Sequence, residues 1–441
     1  MPAPHVSRRR RVARRVADSL WVVPVTYVAG ALVLGVVLLR WDESDPIELA
    51  HAISAASAST ALAALGSGML AFTGFVTSVV LVLVQFGTSE FSPRLVRWLR
   101  RDRTLRFALS TFVATFLFAL VATAQVGRGN ADFVPSRTLV AALALTMLSI
   151  AMFLLLIDRT ANGLRVANVA QRVDAMARTV FDTVYGDVAS DARRAPPLRE
   201  QPPVQAVRHG GPGAVLVTFD RAALVRLALR ADAVIELVPA VGDHVPAGGV
   251  LLHVYGGQRL PERRLRRAVA LGDERTLDDD PAFALRVLVD VAIRALSPAV
   301  NDPTTAVQML HRIEDLLRYA ASKNLAVGTV TDGAGVARLV YSTPTWDDLV
   351  ELGLDEIRAF GASQYQIARR LRALLDALLA DLPDERHPAL VAQRVLLDDA
   401  VAQRFPEDQR HDALVADRQG LGMSRRAISS RWGDARRNTR S

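Results

Sequence analysis

The chain has no cysteine, and Lys323 is the single lysine among its 53 basic residues. Without cysteine it has no thiol nucleophile, no iron–sulfur cluster and no cysteine-ligated zinc. Without a lysine after a glycine-rich loop it has no P-loop for a nucleoside triphosphate. Lys323 itself is poorly placed for a Schiff base. These absences exclude several large classes of enzyme before any motif is considered.

Charge is absent from four long apolar segments near the start of the chain. Overall, 51% of the 441 residues are hydrophobic and 22% are charged, so the apolar residues must be concentrated in one part of the sequence. An apolar helix of about 19 residues crosses the bilayer's hydrocarbon core, which is about 30 Å thick. We therefore predict transmembrane helices at residues 21–39, 62–86, 107–126 and 139–157.

The arginines outside these segments lie mainly on one side of the predicted membrane. Six of them fall between residues 8 and 15, and the segment after the second span is also arginine-rich, whereas the opposite loops carry few. The positive-inside rule then predicts a multi-pass protein of the cytoplasmic (inner) membrane with both termini in the cytoplasm. The partners expected for the basic segment are anionic lipid headgroups rather than nucleic acid. The predicted headgroup contacts are Arg94, Arg97, Trp98, Arg100 and Arg101.

The second span carries an unusual set of small residues. Ser67, Ala71, Gly74 and Ser78 recur at helical spacing and share one face, and Gln85 lies near the cytoplasmic end. Such a face allows close helix–helix packing. Alternatively, it lines a narrow polar path in an oligomer. The spans contain no Asp, Glu, Lys, Arg or His, so channel-like passage is favoured over proton-coupled transport.

The residues after the fourth span predict a mixed α+β cytoplasmic region. A helix over 158–190 has apolar residues at heptad-like spacing, which is compatible with packing on its own domain or with a self-associating stalk. The full predicted order is a basic arm (1–19), a four-helix membrane domain (20–157), the helical stalk (158–190), a Pro/Gly linker (191–213), a small β-sandwich-like module (214–260), a helical hairpin plus β-hairpin (261–343), a helical bundle (344–420) and a disordered basic tail (421–441).

The β-rich module contains a turn, at residues 241–249, that resembles those of biotinyl and lipoyl carriers. In those modules a lysine at a hairpin tip carries the cofactor, and no lysine lies near this turn. Cofactor attachment is therefore excluded, and no cofactor is predicted. His244 and His253 are not framed by a ligand motif, so we expect no metal there.

Two Asp-Pro pairs, at 280–281 and 302–303, predict helix starts, because Asp caps a helix and Pro suits its first turn. The two helices resemble a helix-turn-helix. However, the second offers His311, Glu314 and Asp315 where DNA readers prefer Arg, Asn or Gln. The connecting segment is a candidate ligand site, or else a rigid turn. Its candidate residues are Ser297, Asn301, Asp302 and Thr304.

Three segments carry a resemblance to a known family. Residues 89–95 read Ser-Glu-Phe-Ser-Pro-Arg-Leu, residues 294–306 contain Ser-Pro-Ala-Val-Asn-Asp-Pro, and Gln364 follows Phe-Gly-Ala-Ser. In these features the chain resembles the predicted-membrane-protein family catalogued as domain of unknown function 2254. The resemblance implies a bacterial integral membrane protein and assigns no catalytic or binding residue.

Two functions follow as hypotheses. The first is an oligomeric channel-like or pore-forming protein with a cytoplasmic regulatory domain. The alternative is a membrane-anchored sensor or scaffold that binds a small ligand or a protein through its cytoplasmic region. An enzyme is not expected, because no nucleophile, base and orienting group stand at catalytic spacing.

Overall fold

The computed structural model describes residues 22–44, 54–90, 103–127, 133–163, 166–185, 202–277, 279–326 and 328–423. The described residues form two units, one within 22–163 and one within 166–423. The predicted basic arm, the predicted headgroup contacts from Arg94 to Arg101, and residues 424–441 of the predicted tail lie outside the described residues.

The first unit is built from four helices, each long and apolar enough to cross a membrane. They match the four uncharged segments of the sequence, so the predicted α-helical membrane domain is confirmed. The helices are α1 (Val22–Ser44), α2 (Ala55–Glu90), α3 (Arg103–Thr123) and α4 (Ser136–Gly163).

Helix α3 is the centre of this unit. It packs against α1, α2 and α4, and half of its apolar stretch is buried, against 11–17% for the other three helices. Phe118 joins a cluster with Ala31 of α1 and Leu62 of α2, and Phe112 joins a second cluster with Met69 of α2 and Leu156 of α4. The described hydrophobic core of the unit therefore lies around α3.

A buried carboxylate joins α1 to α4. Asp42, only 2% exposed, accepts hydrogen bonds from the backbone nitrogens of Arg137 and Thr138, each at 3.1 Å, and from the Thr138 hydroxyl at 2.9 Å. An acceptor at this position satisfies N–H groups that the first turn of a helix leaves unpaired. The end of α1 and the start of α4 therefore meet, as a four-span arrangement requires.

The second unit contains two sheets that share one hydrophobic core, which confirms a mixed α+β region with a sandwich-like module. The larger sheet has the order β1-β5-β3-β8-β7, with β3 and β8 parallel and its other pairs antiparallel, and the smaller has the order β4-β2-β6. The strands are β1 (Gln205–Arg208), β2 (Ala214–Phe219), β3 (Val234–Leu237), β4 (His244–Val245), β5 (Val250–Tyr255), β6 (Val269–Gly272), β7 (Thr329–Thr331) and β8 (Ala337–Tyr341).

Two features of the sheets differ from the sequence-based expectation. Strand β1 lies inside the segment 191–213, which its prolines and glycines predict to be a linker, and it pairs with β5. The hairpin of β7 and β8 joins the sheet of β3 and β5 although about 70 residues separate β5 from β7. Both features depend on pairing between distant segments, which local residue preferences do not report.

Two helices of this unit begin at the Asp-Pro pairs of the sequence. Asp280 accepts from the Phe283 nitrogen at 3.0 Å and Asp302 from the Thr305 nitrogen at 3.1 Å, each with Pro in the first turn. The helices are α5 (Val166–Tyr185), α6 (Arg221–Ala231), α7 (Glu262–Arg267), α8 (Pro281–Ala295), α9 (Pro303–Ala321), α10 (Trp346–Gly361), α11 (Tyr365–Asp381), α12 (His387–Arg404) and α13 (Glu407–Ala413).

Helix α5, the described core of the predicted stalk, packs on α8 and α9 of its own unit. Val173 and Val180, two of its heptad-like positions, are buried. Asp182 accepts from the Tyr319 hydroxyl and from the Lys323 ammonium, both at 2.6 Å. Because it donates to Asp182, the Lys323 ammonium has a raised pKa, so the chain's single lysine serves as an ion-pair partner. Of the two alternatives for this helix, packing on its own domain is the one observed.

Candidate functional site

The small-residue face of α2 points away from the rest of its unit. Ser67, Ala71, Gly74 and Ser78 are all exposed, and a Cβ built on Gly74 would meet nothing within 4 Å. The opposite face of the helix carries the buried residues that contact α3. Within the described residues of this chain, no neighbouring helix covers this face. Both sequence-based alternatives, close helix–helix packing and a narrow polar path in an oligomer, stay predictions.

The polar groups on this face are satisfied by their own helix. Ser67 donates to the Ala64 carbonyl at 3.1 Å and Ser78 to the Gly74 carbonyl at 3.0 Å. Gln85 is exposed and, at 100° per residue, lies on the same face. The face can therefore meet lipid, a neighbouring helix or water without leaving its serine hydroxyls unpaired.

The candidate segment Ser297–Thr304 forms a tight turn between α8 and α9. The Ser297 carbonyl accepts from the Asn301 nitrogen at 2.9 Å, and Asn301 has a φ of 48°. The Asp302 carboxylate accepts hydrogen bonds from the Thr305 nitrogen at 3.1 Å and from the Thr305 hydroxyl at 2.5 Å. Thr304 is exposed. Since Asp302 already occupies the helix start, these contacts support the rigid-turn interpretation.

The turn also meets the third segment that resembles the family. The Gln364 amide donates to the Asn301 side-chain oxygen at 3.5 Å, a long hydrogen bond. Gly361, the last residue of α10, approaches Leu296, whose Cδ1 would lie 3.1 Å from an added Cβ. The loops that end α8 and α10 therefore lie side by side, and they bring together two of the segments that resemble the family.

A polar cavity of about 430 Å³ lies between α9 and α11, and the sequence analysis did not identify it. Both helices supply its walls, and the segment after α13 supplies one residue. The lining residues are His311, Glu314, Asp315, Arg318, Arg370, Ala373, Ala377, Asp381 and Arg418.

An ion-pair network crosses this cavity. Glu314 on α9 accepts from Arg318 at 2.9 Å and from Arg370 of α11 at 2.5 Å. Arg318 also pairs with Asp381 at 2.7 Å. Arg370 is only 3% exposed, so its charge is held in a largely desolvated position by Glu314.

His311 lies beside this network in its neutral form at neutral pH. Burial lowers the pKa of its imidazole below the ordinary 6.5, and the Arg370 guanidinium lowers it further. Its ring lies beside the backbone of Arg418. In a neutral imidazole one ring nitrogen donates a hydrogen bond and the other accepts one.

Arg418 is placed at the cavity by a turn built on Asp417. The Asp417 amide donates to the Arg369 carbonyl of α11 at 3.2 Å, and Gln366 of α11 donates to the Gly420 carbonyl at 2.6 Å. The buried Asp417 carboxylate accepts backbone hydrogen bonds at 2.7–3.2 Å from Gln419, Gly420, Gly422 and Met423. The segment that carries Arg418 is therefore fastened to α11.

Four apolar helices followed by a large mixed α+β unit define an integral membrane protein with a second, mixed α+β domain. Over residues 17–377 the chain matches the family described as predicted membrane protein, domain of unknown function 2254, and it belongs to that family.

The chain is also similar to two mycobacterial proteins, both described as uncharacterised. One is from Mycobacterium bovis and the other from Mycobacterium tuberculosis. Each is 29% identical to this chain over 438 residues, which cover 96% of this chain and 82% of the relative. No solved structure matches the chain.

Proposed function

We propose that the protein is an oligomeric, channel-like membrane protein whose soluble unit is a regulatory domain. The observation that carries this proposal is the position of the small-residue face of α2. It lies opposite the buried face of the helix and is exposed along Ser67, Ala71, Gly74 and Ser78. A face of this kind is suited to contact with another copy of the chain.

The composition of the face favours a protein neighbour over lipid. Elsewhere in the unit, large apolar side chains are exposed, including Leu70 and Phe75 on α2 itself. Such side chains suit contact with acyl chains, whereas small residues allow two helix backbones to approach closely. Because Gly74 has open space beyond its Cα, a neighbouring helix can come close at this level. We infer that copies of α2 face one another.

The polarity of the face favours a path for water or a small solute. Ser67 and Ser78 leave lone pairs available while their hydrogens bond to the helix backbone. Gln85 extends the polar character toward the end of α2 that precedes the arginine-rich segment. No Asp, Glu, Lys or Arg lies on α2 between its first residue and Gln85. Passage without a titrating group in the path is channel-like.

The proposed orientation of the chain in the membrane rests on the arginine-rich segments at 8–15 and 94–106. By the positive-inside rule, they place both termini and the soluble unit in the cytoplasm. A reporter fused after residue 423 tests this directly. We expect the reporter to be active only in the cytoplasm, and a periplasmic signal would overturn the proposed orientation.

The absence of cysteine makes the chain a ready template for single-cysteine scanning. Gly74→Cys and Ser78→Cys should form disulfide-linked dimers in membranes and react with a charged, membrane-impermeant thiol reagent. Val79→Cys, exposed on the same helix about 100° away from Ser78, is the matched control and should do neither. Equal behaviour of all three variants would contradict the proposal.

Glycine replacement separates oligomer formation from folding. A Cβ on Gly74 or on Gly68 meets nothing within 4 Å, so we expect both Gly74→Leu and Gly68→Leu to fold as the wild type does. Gly68 lies on a different face of the helix, about 120° from Gly74. We expect Gly74→Leu alone to shift the protein to monomers in mild detergent and to abolish solute flux into liposomes. A wild-type protein that is monomeric in mild detergent and gives no solute flux into liposomes would refute the proposal.

A further inference from the structure

The cavity between α9 and α11 has the features of a ligand site. We propose that it binds a small organic molecule carrying a single carboxylate or phosphate group. The cavity does not involve the α2 face, so this ligand site goes beyond the proposed channel-like function and does not depend on it. Three properties of the cavity point to such a ligand: its volume, the hydrogen-bond donors around it and the charge balance of its walls.

The room comes from two alanines on one face of α11. Ala373 and Ala377 are one helical turn apart and stand across from the longer polar side chains of α9. The cavity of about 430 Å³ falls within the range of small-molecule sites, roughly 300–1,000 Å³. It is large for a bare inorganic ion, so the occupant we infer has a carbon skeleton that can lie against the two methyl groups.

The unused hydrogen-bonding capacity of the walls is mainly donor capacity. Among the described residues, Arg370 donates to Glu314 alone, and the Arg418 side chain makes no ion pair. Each guanidinium has five N–H donors. Two of the three acids are already engaged, because Glu314 accepts from both Arg318 and Arg370 and Asp381 accepts from Arg318. Asp315, the third, lies 3.6 Å from Arg312. Anionic oxygens, which a planar guanidinium can bind with two parallel hydrogen bonds, complement these donors.

The charge balance limits the ligand to one anionic group. Three arginines and three acids line the cavity, so a polyphosphate would meet uncompensated repulsion from Glu314, Asp315 and Asp381. The neutral His311 supplies one acceptor nitrogen, which suits a hydroxyl of the ligand. A hydroxylated carbon skeleton with one terminal carboxylate or phosphate satisfies both conditions.

Three matched probes test this chemistry on the full-length protein in detergent or nanodiscs. Glycerol 3-phosphate and glycerate share a three-carbon hydroxylated skeleton and differ in the anionic group, and glycerol is the neutral control. We expect saturable binding of at least one anion in titration calorimetry and a rise in the unfolding temperature with its concentration. The anion that binds more tightly identifies the preferred anionic group, phosphate or carboxylate. Binding of neither anion at millimolar concentration overturns the proposal.

Two variants locate the binding in the cavity. Arg418→Gln removes an exposed guanidinium that pairs with no described residue, so it should leave the fold unchanged, and Ala377→Leu fills the cavity without changing its charge. Each should weaken anion binding by about tenfold or more, as expected for the loss of a charged hydrogen bond or of the room to bind. Arg404→Gln, an exposed arginine of α12 outside the lining, is the matched control.

The outcomes are distinguishable from those of the channel experiments. Gly74→Leu should bind the anion as the wild type does, because its effect is confined to the contact between copies of α2. Anion binding that survives both Arg418→Gln and Ala377→Leu would place the ligand elsewhere and refute the cavity site. Should Ala377→Leu fail to fold, Arg418→Gln alone still decides the question.

Discussion

The Arg370 guanidinium donates to the Glu314 carboxylate at 2.5 Å and thereby joins α11 to α9 inside the α+β unit. Arg370 is 3% exposed and the Glu314 side chain 15% exposed. Glu314 also pairs with Arg318, whereas among the described residues Arg370 pairs with Glu314 alone. Since Arg370 cannot be solvated freely, its charge depends on Glu314, and both residues line the polar cavity.

Replacing Glu314 by Gln should destabilise the protein markedly. The variant keeps the shape of the side chain but leaves the buried Arg370 without its counter-charge, which costs about 3 kcal/mol in comparable buried pairs. The expected result is a lower unfolding midpoint for the purified full-length chain. Asp315→Asn is the control, because its pair with Arg312 spans 3.6 Å between half-exposed side chains and is worth less than about 1 kcal/mol. Equal losses in the two variants would contradict this account.

His311 should make the stability of the protein depend on pH. Burial and Arg370 lower its pKa against the opposing effects of Glu314 and Asp315, so between that lowered pKa and 6.5 the unfolded chain binds more protons than the folded one. Stability then rises with pH across this window and falls on acidification below 6.5. His311→Gln should remove this part of the slope, whereas His411→Gln, an exposed control, should retain it. Parallel profiles for all three proteins would refute the prediction.

Removing the Asp42 carboxylate should loosen α4 from α1. Asp42→Ala leaves the backbone nitrogens of Arg137 and Thr138 without the acceptor they use in the structure. Unpaired buried donors and a lost cap together cost about 2–4 kcal/mol. The measurement is the thermal unfolding midpoint in detergent. Glu43→Ala, one residue further along and exposed, should be nearly neutral, and a comparable loss there would show that the position of the charge is unimportant.

Asn301 should be replaceable by glycine but not by a branched residue. Its φ of 48° is left-handed, a region that Asn and Gly adopt readily and β-branched residues avoid. Asn301→Val should cost about 1–2 kcal/mol, while Asn301→Gly should fall within about 1 kcal/mol of wild type. Unfolding midpoints of the two variants make the comparison. An equal loss in both would indicate that the side-chain contact with Gln364 matters more than the backbone conformation.

Structural features that depend on a short stretch of sequence could be predicted. The four spans follow from uncharged runs of sufficient length, and the starts of α8 and α9 follow from Asp-Pro pairs whose capping bonds the structure contains. In both cases the physical cause, hydrophobic transfer or a cap, acts within a few residues. Strand β1 has no such local cause, because only its pairing with β5 makes it a strand.

The cavity was beyond sequence reasoning because its walls are separate in the chain. Glu314, Arg370 and Arg418 are more than 40 residues apart from one another, and their meeting depends on the packing of α9, α11 and the Asp417 turn. One signal was present: His311, Glu314, Asp315 and Arg318 recur at i, i+3, i+4 and i+7 and share a helical face. Three of these residues, His311, Glu314 and Asp315, argue against DNA recognition. The sequence shows that this helical face is polar, but it does not show which element packs against the face.

The outward orientation of the α2 face was equally unpredictable. The small residues Ser67, Ala71, Gly74 and Ser78 are compatible with packing against this chain or against another one. Helical periodicity alone does not show which way their face points. The choice depends on which face of α2 meets α3, and Leu62 and Met69 decide it by joining the clusters around Phe118 and Phe112.

The central position of α3 has a consequence for biogenesis. Helices α1 and α2 each pack on α3, and within the described residues they share little contact with each other. A chain synthesised from its N-terminus places α1 and α2 in the bilayer before the helix that holds them together exists. Helices α1 and α2 therefore remain separate spans until α3 is inserted, and the insertion of α3 sets the order of assembly.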